Sequence, residues 1–339
     1  MKIKPTIKLK MTDWWNHDFY GNYFIKFLSR KYNIIQSEEP DYLLCSLFGE
    51  EHFQYDCIKI FFTGEDVIPD FNLYDYALGF CDLTFADRYL RFPLPFLYTH
   101  KQQPIIQLVQ SKHQNITYDL SKREFCSFVV SNKYAHPIRE KFFDALSAYK
   151  FVASGGRFKN NIGRIIADKH TFISSYKFNI AFENTSSPHY CTEKLIQAFC
   201  AKTIPIYWGD SEIDQWINPK ALINLSNFSS MDEAIQYILY LDSNPQAYLK
   251  VLQEKAFLID DLQQTYEQKL EKFFDHIFTQ PISKASRRQN NLSYWYRKRV
   301  HDPVNFTSPL LQKINFTSRR KYEKSTHYRN HGSRWRIFG

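Results

Sequence analysis

The sequence lacks any pattern of paired cysteines. Its six cysteines are scattered over 339 residues, and none forms a CxxC motif or a spacing typical of metal ligands. Most lie in apolar runs, such as the segments around Cys45 and Cys200. We therefore expect buried, reduced thiols. This argues against a disulfide framework and fits a reducing compartment.

Long apolar segments are also missing. No stretch approaches the roughly 18 apolar residues that a membrane span requires. The lysines near the start of the sequence are not followed by the apolar region of a secretory signal. We therefore expect a chain that is not secreted and whose body does not cross a membrane. Its Asn-X-Ser/Thr triplets are then chance matches.

The net charge of +9 hides two regions of opposite character. Residues 284–339 carry 14 Lys and Arg against two acidic residues, whereas the remaining chain has 30 basic and 33 acidic residues. The tail also interleaves aromatic residues with these cations, as in Tyr294-Trp-Tyr-Arg-Lys-Arg299. This pattern favours an anionic membrane surface as partner. Binding of RNA or DNA and a plain solvated tail are the alternatives.

Hydrophobic periodicity predicts an α/β protein. Alternating apolar residues at Ile7, Leu9 and Met11 indicate an opening strand that ends near Trp14-Trp15, and a helix is expected over residues 22–32. Further strands are expected at 41–48, 57–62 and 125–130, and helices at 138–149, 231–241 and 245–278. The stretch 101–122 is polar and aperiodic, and is interpreted as a connection. We predict one domain over residues 1–124, a second over 125–283 and a basic tail over 284–339.

One segment, Tyr176 to Gly209, carries the strongest signal for a ligand site. An apolar run (176–182) is followed by a polar loop, a helix that begins after Thr192, and a second apolar run (203–208). Strand, loop, helix and strand make a βαβ unit, whose ligands bind at the carboxyl ends of the strands. The start of the helix suits a diphosphate. Lys194 is unfavourable at that helix end unless an anion accompanies it; a solvated surface lysine is the alternative.

Three motifs in this segment closely resemble the signature of the α-1,3-fucosyltransferases, glycosyltransferase family ten, and are nearest to the bacterial α-1,3/4 enzymes. They are Tyr-Lys-Phe-Asn-Ile-Ala-Phe-Glu-Asn-Thr (176–185), Tyr-Cys-Thr-Glu-Lys (190–194) and Thr-Ile-Pro-Ile-Tyr-Trp-Gly (203–209). The resemblance extends upstream through Phe-Phe-Thr-Gly-Glu-Asp (61–66), Phe-Asn-Leu-Tyr-Asp-Tyr-Ala-Leu-Gly-Phe (71–80), Arg-Tyr-Leu-Arg (88–91) and Pro-Ile-Arg (137–139). It continues downstream to about Phe278 and so covers most of the chain.

The resemblance implies a GT-B fold, in which two Rossmann-like domains face a central cleft. It implies GDP-fucose as donor and a GlcNAc-containing glycan, such as N-acetyllactosamine, as acceptor, with inversion at the transferred sugar. No cofactor is expected to be required, and a divalent cation is at most stimulatory. The expected location is cytoplasmic, on the inner face of the bacterial plasma membrane. Another sugar nucleotide, an α-1,4 linkage, or a nucleic-acid-binding protein acting through its tail are the alternative interpretations, although nucleic acid is not the expected partner.

The resemblance also assigns roles to five residues, and the position of Glu183 directly after a strand adds a sixth. Glu65 matches the family's general base, and a capping role in its turn is the alternative. Arg139 and Lys194 match the cations on the diphosphate, although Arg139 would also suit a surface ion pair. Glu193 and Tyr190 match donor-binding positions, the former on the ribose and the latter near the ribose or guanine. Glu183 is expected to contact fucose or the acceptor and is the second candidate base.

This chain differs from the family that it resembles in two places. The tandem heptad repeats of the best-known bacterial members are missing, since the stretch 260–266 occurs once. The region 92–124 looks shorter than in those members. Loops that contact the acceptor fall in that region, so the acceptor preference is the least certain part of the expected function.

Overall fold

The computed structural model describes residues 3–111 and 122–288. Most of the predicted basic tail, from residue 289 onward, and the middle of the predicted connection therefore lie outside the described residues. Within the described part, no helix is long and apolar enough to cross a membrane. The membrane-surface role of the tail stays a prediction.

The elements follow the α/β order expected from the sequence. The strands are β1 (Thr6–Thr12), β2 (Asn33–Gln36), β3 (Tyr42–Cys45), β4 (Ile58–Phe62), β5 (Tyr76–Gly79), β6 (Tyr89–Arg91), β7 (Thr99–His100), β8 (Gln103–Pro104), β9 (Glu124–Phe128), β10 (Val152–Ser154), β11 (Tyr176–Phe182), β12 (Ile204–Trp208) and β13 (Ile223–Asn224). The helices are α1 (Tyr23–Leu28), α2 (Ile105–Ser111), α3 (Ile138–Tyr149), α4 (Lys169–Ser174), α5 (Glu193–Cys200), α6 (Met231–Ser243), α7 (Pro245–Leu252), α8 (Leu262–Thr279) and α9 (Ile282–Ala285).

The described residues form two compact units, one of residues 3–62, 70–76 and 281–288, the other of 63–69, 77–111 and 122–280. In the first unit, four parallel strands lie in the order β2-β1-β3-β4. All of β3 and β4 is buried, which explains why their sequences are apolar apart from Lys59 in β4. The alternation in β1 places Ile7 and Leu9 in the core and leaves Lys8 exposed, as predicted.

The second unit contains a five-stranded parallel sheet in the order β10-β9-β11-β12-β13. The central strand β11 pairs with β9 and β12, and its apolar residues are buried in the core of the unit. Helices α3 and α6 contribute Phe142, Leu146 and Ile238 to that core. Residues 63–69 and 77–111 group with this second unit, and residues 281–288 group with the first. The domain boundaries expected at residues 124 and 283 stay predictions.

Two predictions of local structure are wrong. Residues 105–111 of the predicted connection form α2, because Ile105, Ile106 and Val109 have helical spacing and are buried. The expected single helical stretch over 245–278 is two helices, α7 and α8. The backbone between the two helices instead forms hydrogen bonds with residues 216–218. The N–H of Asn218 donates to the carbonyl of Ala256 (2.8 Å), and the N–H of Leu258 donates to the carbonyl of Trp216 (2.9 Å).

The six cysteines are free thiols, as expected. Four of them (Cys45, Cys126, Cys191 and Cys200) are buried, and the other two are partly buried. Burial raises the pKa of the Cys57 thiol to about 11, which keeps it protonated near neutral pH.

Candidate active site

The predicted βαβ unit is confirmed. Strands β11 and β12 are parallel neighbours, with Phe182 paired to Trp208 at their carboxyl ends. Glu183 follows β11 directly, and Gly209 follows β12. Residues 184–192, here called the donor loop, connect Glu183 to the start of α5. This arrangement brings the polar residues of the motif to one edge of the sheet.

Glu183 is the fully buried acid of this edge. One carboxylate oxygen accepts from the backbone N–H of Thr192 (2.7 Å), and the other accepts from the Thr192 hydroxyl (2.6 Å). Burial raises the pKa of Glu183, against the opposing influence of Lys194 and Thr192. The carboxylate thus occupies the anion position at the start of α5.

The side chain of Lys194 turns back to this acid. Its Nζ lies 3.1 Å from Glu183 Oε2 and 2.9 Å from the Thr192 hydroxyl oxygen. Burial would lower the pKa of Lys194, but the carboxylates of Glu183 and Glu193 outweigh it and raise the pKa above its ordinary value. The solvated surface lysine considered from the sequence is therefore wrong. The anion that accompanies Lys194 in this structure is a side chain of the same protein.

The adjoining acid, Glu193, belongs to the same charge cluster. Burial would raise its pKa, but Lys194 and then Lys169 lower it below its ordinary value. Glu193 is therefore kept ionised in the first turn of α5, where the helix dipole also favours a negative charge.

Gly209 is required by the close packing at this edge. A Cβ atom at this position would lie 2.5 Å from Cγ and 2.8 Å from Cβ of Glu183. The backbone N–H of Glu183 also donates to the carbonyl of Trp208 (2.9 Å), which holds the two strand ends together. The final glycine of the Trp-Gly motif thus leaves room for the buried acid.

Arg139 lies in the first turn of α3 and is only 2% exposed. Its guanidinium donates to the side-chain oxygen of Asn184 (2.8 Å) and to the carbonyl of Asn132. Burial lowers the pKa of Arg139, and the charge of Glu183 opposes this shift. The surface ion pair considered from the sequence is therefore wrong. Arg139 is a buried cation held against the first residue of the donor loop.

Glu65 meets the donor loop through Tyr190. The hydroxyl of buried Tyr190 donates to Glu65 Oε2 over a long 3.4 Å, and burial, followed by Glu183 and Glu65, raises the pKa of Tyr190. The turn of Glu65 is fixed by its backbone N–H, which donates to Thr63 Oγ1 (3.1 Å), and by the tight packing of Gly64 on Leu94. The carboxylate of Glu65 thus contacts Tyr190 and does not cap its own turn.

The neighbouring Asp66 binds the donor loop directly. One of its oxygens accepts from the hydroxyls of Thr185 and Ser187, each at 2.6 Å. Glu65 and Asp66 together attach the loop at both of its ends, because Thr185 and Tyr190 lie near opposite ends of residues 184–192. The predicted residues Glu65, Arg139, Glu183, Tyr190, Glu193 and Lys194 are therefore connected through one loop.

Sequence reasoning missed two further groups near this cluster. The pKa of Tyr98 is raised by the charge of Glu193 first, and then by burial and Glu65. Burial lowers the pKa of Lys169, with Glu193 opposing, and Lys169 opens α4, which packs against α5. Neither residue lies in a motif, so the sequence offered no signal for them.

The predicted site contains no evident metal centre. Among residues 3–111 and 122–288, no group of three or more His, Cys, Asp or Glu residues is arranged to hold an ion. The expectations that no cofactor is required and that a divalent ion is at most stimulatory stay predictions.

The fold and the site together indicate a broad class of enzyme. Parallel α/β sheets, with a charged helix start at the carboxyl edge of one of them, indicate a nucleotide-sugar transferase of GT-B type. Residues 120–292 match glycosyltransferase family 10 (fucosyltransferase), C-terminal part, and residues 9–98 match the N-terminal domain of the α-(1,3)-fucosyltransferase FucT. The chain belongs to glycosyltransferase family 10.

Individual relatives agree with this assignment. The chain is 36% identical over 291 residues to the α-(1,3)-fucosyltransferase FucT of Helicobacter pylori, covering 75% of this chain and 61% of that protein. It is 28% identical over 222 residues to a putative fucosyltransferase of Acanthamoeba polyphaga mimivirus, covering 62% of this chain and 35% of that protein. The chain thus spans less than two thirds of these relatives.

The fold is also that of a solved structure of an α1,3-fucosyltransferase crystallised with GDP-fucose. The two share 34% sequence identity and a TM-score of 0.71, over 86% of this chain and 95% of the other. The family resemblance and the GT-B fold class expected from the sequence are confirmed.

Proposed function

We propose that this chain is an inverting α-1,3-fucosyltransferase, which moves L-fucose from GDP-β-L-fucose to the GlcNAc of an N-acetyllactosamine-type glycan. The observation that carries this proposal is the cluster of buried charges around the donor loop, in a chain of glycosyltransferase family 10. The similar structure crystallised with GDP-fucose supports the identity of the donor.

The leaving group is GDP, so the site must stabilise negative charge on a diphosphate. Lys194 lies in the first turn of α5, and Arg139 contacts Asn184 at the start of the donor loop. The positive end of the helix dipole adds to these two cations. In the reaction, the bond from fucose C1 to the acceptor O3 forms as the bond from C1 to the β-phosphate oxygen breaks. The electron pair of the broken bond leaves with GDP.

The acceptor hydroxyl must lose its proton during this displacement. Glu65 is better suited than Glu183 to act as the general base. Both oxygens of Glu183 already accept hydrogen bonds from Thr192, and its side chain is fully buried. Glu65 is partly exposed, and its carboxylate has one long contact, with Tyr190. In this proposal Glu183 holds Lys194 in position, and Glu65 takes the proton.

A transfer assay tests the function. Purified protein is incubated with GDP-fucose and N-acetyllactosamine, and the expected result is one fucose added to GlcNAc in α-1,3 linkage, with release of GDP. Transfer in α-1,4 linkage to the β-1,3-linked isomer of this disaccharide, with none to N-acetyllactosamine, would correct the regiospecificity only. An unchanged acceptor, together with consumption of a different sugar nucleotide, would overturn the proposed donor.

The substitution Glu65→Gln tests the base. We expect turnover to fall by about 100- to 10,000-fold, because general bases contribute this much, while GDP still binds with unchanged affinity. The matched control is Glu140→Gln, which neutralises an exposed carboxylate in the first turn of α3. Retained turnover in Glu65→Gln would move the role of base to Glu183.

A further inference from the structure

The corner that follows β1 in the first unit is built on a strained residue. Asp13 has a positive φ of 62°, which an aspartate adopts more readily than most residues but still at a cost. Its carboxylate compensates by accepting from the backbone N–H groups of Glu51 (2.9 Å) and His52 (3.0 Å). It also contacts the ring Nδ1 of His52, at 2.7 Å, and accepts from the Thr12 hydroxyl (3.3 Å). Strain held by so many contacts is typical of functional positions.

Two adjacent tryptophans follow Asp13 in this corner, and they differ in exposure. Trp14 is buried, its indole N–H donates to the carbonyl of Leu44 (3.1 Å), and its ring stacks on Phe62 with centroids 5.5 Å apart. Trp15 packs against Trp14 and edge-on against Phe48 (5.7 Å), yet it remains 47% exposed. A large aromatic ring is therefore held in a fixed place and left accessible.

The position of Trp15 suits a ligand. Asp13 follows the last residue of β1, and ligands of parallel α/β sheets bind beyond the carboxyl ends of the strands. Asp13 and His52 are hydrogen-bonded to each other and both buried, whereas the exposed side chains of Glu50 and Glu51, in the segment bonded to Asp13, are acidic. An aromatic ring in an acidic corner suits a neutral ligand with an apolar face and not a nucleotide phosphate.

We propose that Trp15 is a stacking platform for a pyranose ring of the acceptor glycan. A pyranose has a face of C–H groups that packs on an indole ring, while its hydroxyl groups remain free for polar partners. Asn16 and His17 follow Trp15 directly and are exposed beside it. This inference rests on the proposed function, because it takes the acceptor to be a glycan.

A kinetic comparison tests the platform in the full chain. For Trp15→Ala we expect kcat/KM for N-acetyllactosamine to fall about tenfold, equivalent to about 1.4 kcal/mol, with the KM for GDP-fucose unchanged. Trp15→Phe should retain most of the activity, because a phenyl ring still stacks. The control Tyr149→Ala removes an aromatic ring of similar exposure (54%) at the end of α3, and should change neither constant. Equal changes for donor and acceptor, or no change for the acceptor, would overturn the proposal.

A binding measurement separates this proposal from the proposed function. Saturation-transfer NMR with N-acetyllactosamine should show the ring C–H protons of one sugar in contact with the wild-type chain, and Trp15→Ala should lose that signal. If the wild-type chain binds the glycan through Trp15 but transfers no fucose, the enzymatic proposal fails and the platform stands. Unaltered saturation in Trp15→Ala would overturn the platform, whatever the outcome of the transfer assay.

Discussion

The carboxyl edges of the two parallel sheets carry opposite chemistry. In the second unit the edge is ionic: Glu183, Lys194 and Arg139 are buried or nearly so, and each is held by named hydrogen bonds. In the first unit the edge is aromatic: the ring of Trp15 is half exposed, and the nearby Asp13 and His52 are buried and hydrogen-bonded to each other.

This difference shows how one kind of fold serves two kinds of ligand. The topology fixes where ligands bind, at the ends of parallel strands, but the residues that follow each strand decide what binds. Buried cations beside a helix start favour a diphosphate. An accessible aromatic ring favours the apolar face of a sugar. The following substitutions test whether the two edges are separable in this way.

Lys194→Ala should have the largest effect. It removes a cation from the ionic edge and leaves the fully buried Glu183 without its ion-pair partner. We expect kcat/KM to fall by about 100- to 1,000-fold and the free energy of unfolding to drop by about 3–5 kcal/mol. Steady-state kinetics and urea denaturation measure the two effects.

The matched control for this substitution is Lys177→Ala. Lys177 pairs with Asp242 at 2.8 Å, with comparable exposure, and also lies in the second unit. It should lower stability without weakening GDP binding. An equal loss of GDP affinity in both variants would mean that the ionic edge has no special role.

Gly209→Ala should disturb the ionic edge without changing its charge. The added methyl group would overlap with Glu183, so we expect a loss of about 1–3 kcal/mol in stability and a fall of about tenfold to 100-fold in turnover. Gly163→Ala is the control: its φ is also positive (73°), but a Cβ there meets no atom within 4 Å. It should cost about 1 kcal/mol of strain and leave turnover unchanged. Similar turnover in the two variants would contradict the packing argument.

Asp13→Asn should have the smallest effect, and a pH-dependent one. Burial would raise the pKa of Asp13, but His52 outweighs burial and lowers it. A carboxyl whose pKa is lower in the folded state stabilises the fold above its unfolded pKa, and this contribution is lost as the pH falls through its folded pKa. Asparagine tolerates the same positive φ, so the substitution changes mainly the charge.

Urea denaturation as a function of pH checks this prediction. The wild-type chain should be more stable than Asp13→Asn by about 1–2 kcal/mol at pH 7, and the gap should close below about pH 4. The exposed Asp41 provides the control, since Asp41→Asn also removes one carboxylate from the first unit and should leave stability at pH 7 unchanged. If the difference in the free energy of unfolding stayed constant down to low pH, the contact between Asp13 and His52 would not be what stabilises this corner.

The sequence predicted the main elements of the second sheet well, because their apolar runs are compact and bounded by polar loops. Tyr176 to Phe182 and the helix Ile138 to Tyr149 have the expected bounds. Predictions were wrong where distant contacts decide the local structure. The break between α7 and α8 depends on backbone pairing with residues 216–218, which no local pattern reveals.

The site shows the same limit at the level of single side chains. The sequence placed Thr192 before α5 correctly, and its φ and ψ are those of an N-cap residue. Its hydroxyl nevertheless bonds to Glu183 instead of capping the helix. That contact, like the pair of Glu183 and Lys194, depends on the path of the donor loop, which is held by Asp66 from a distant part of the sequence. Local patterns therefore identified the residues but not their partners.

Calorimetric titration with GDP tests the central claim, that the ionic edge binds the donor and the aromatic edge does not. The account predicts that the wild-type chain and Trp15→Ala bind GDP with equal affinity, and that Lys194→Ala binds it about tenfold more weakly or worse. Undiminished GDP binding by Lys194→Ala, or an equal loss in Trp15→Ala, would contradict it.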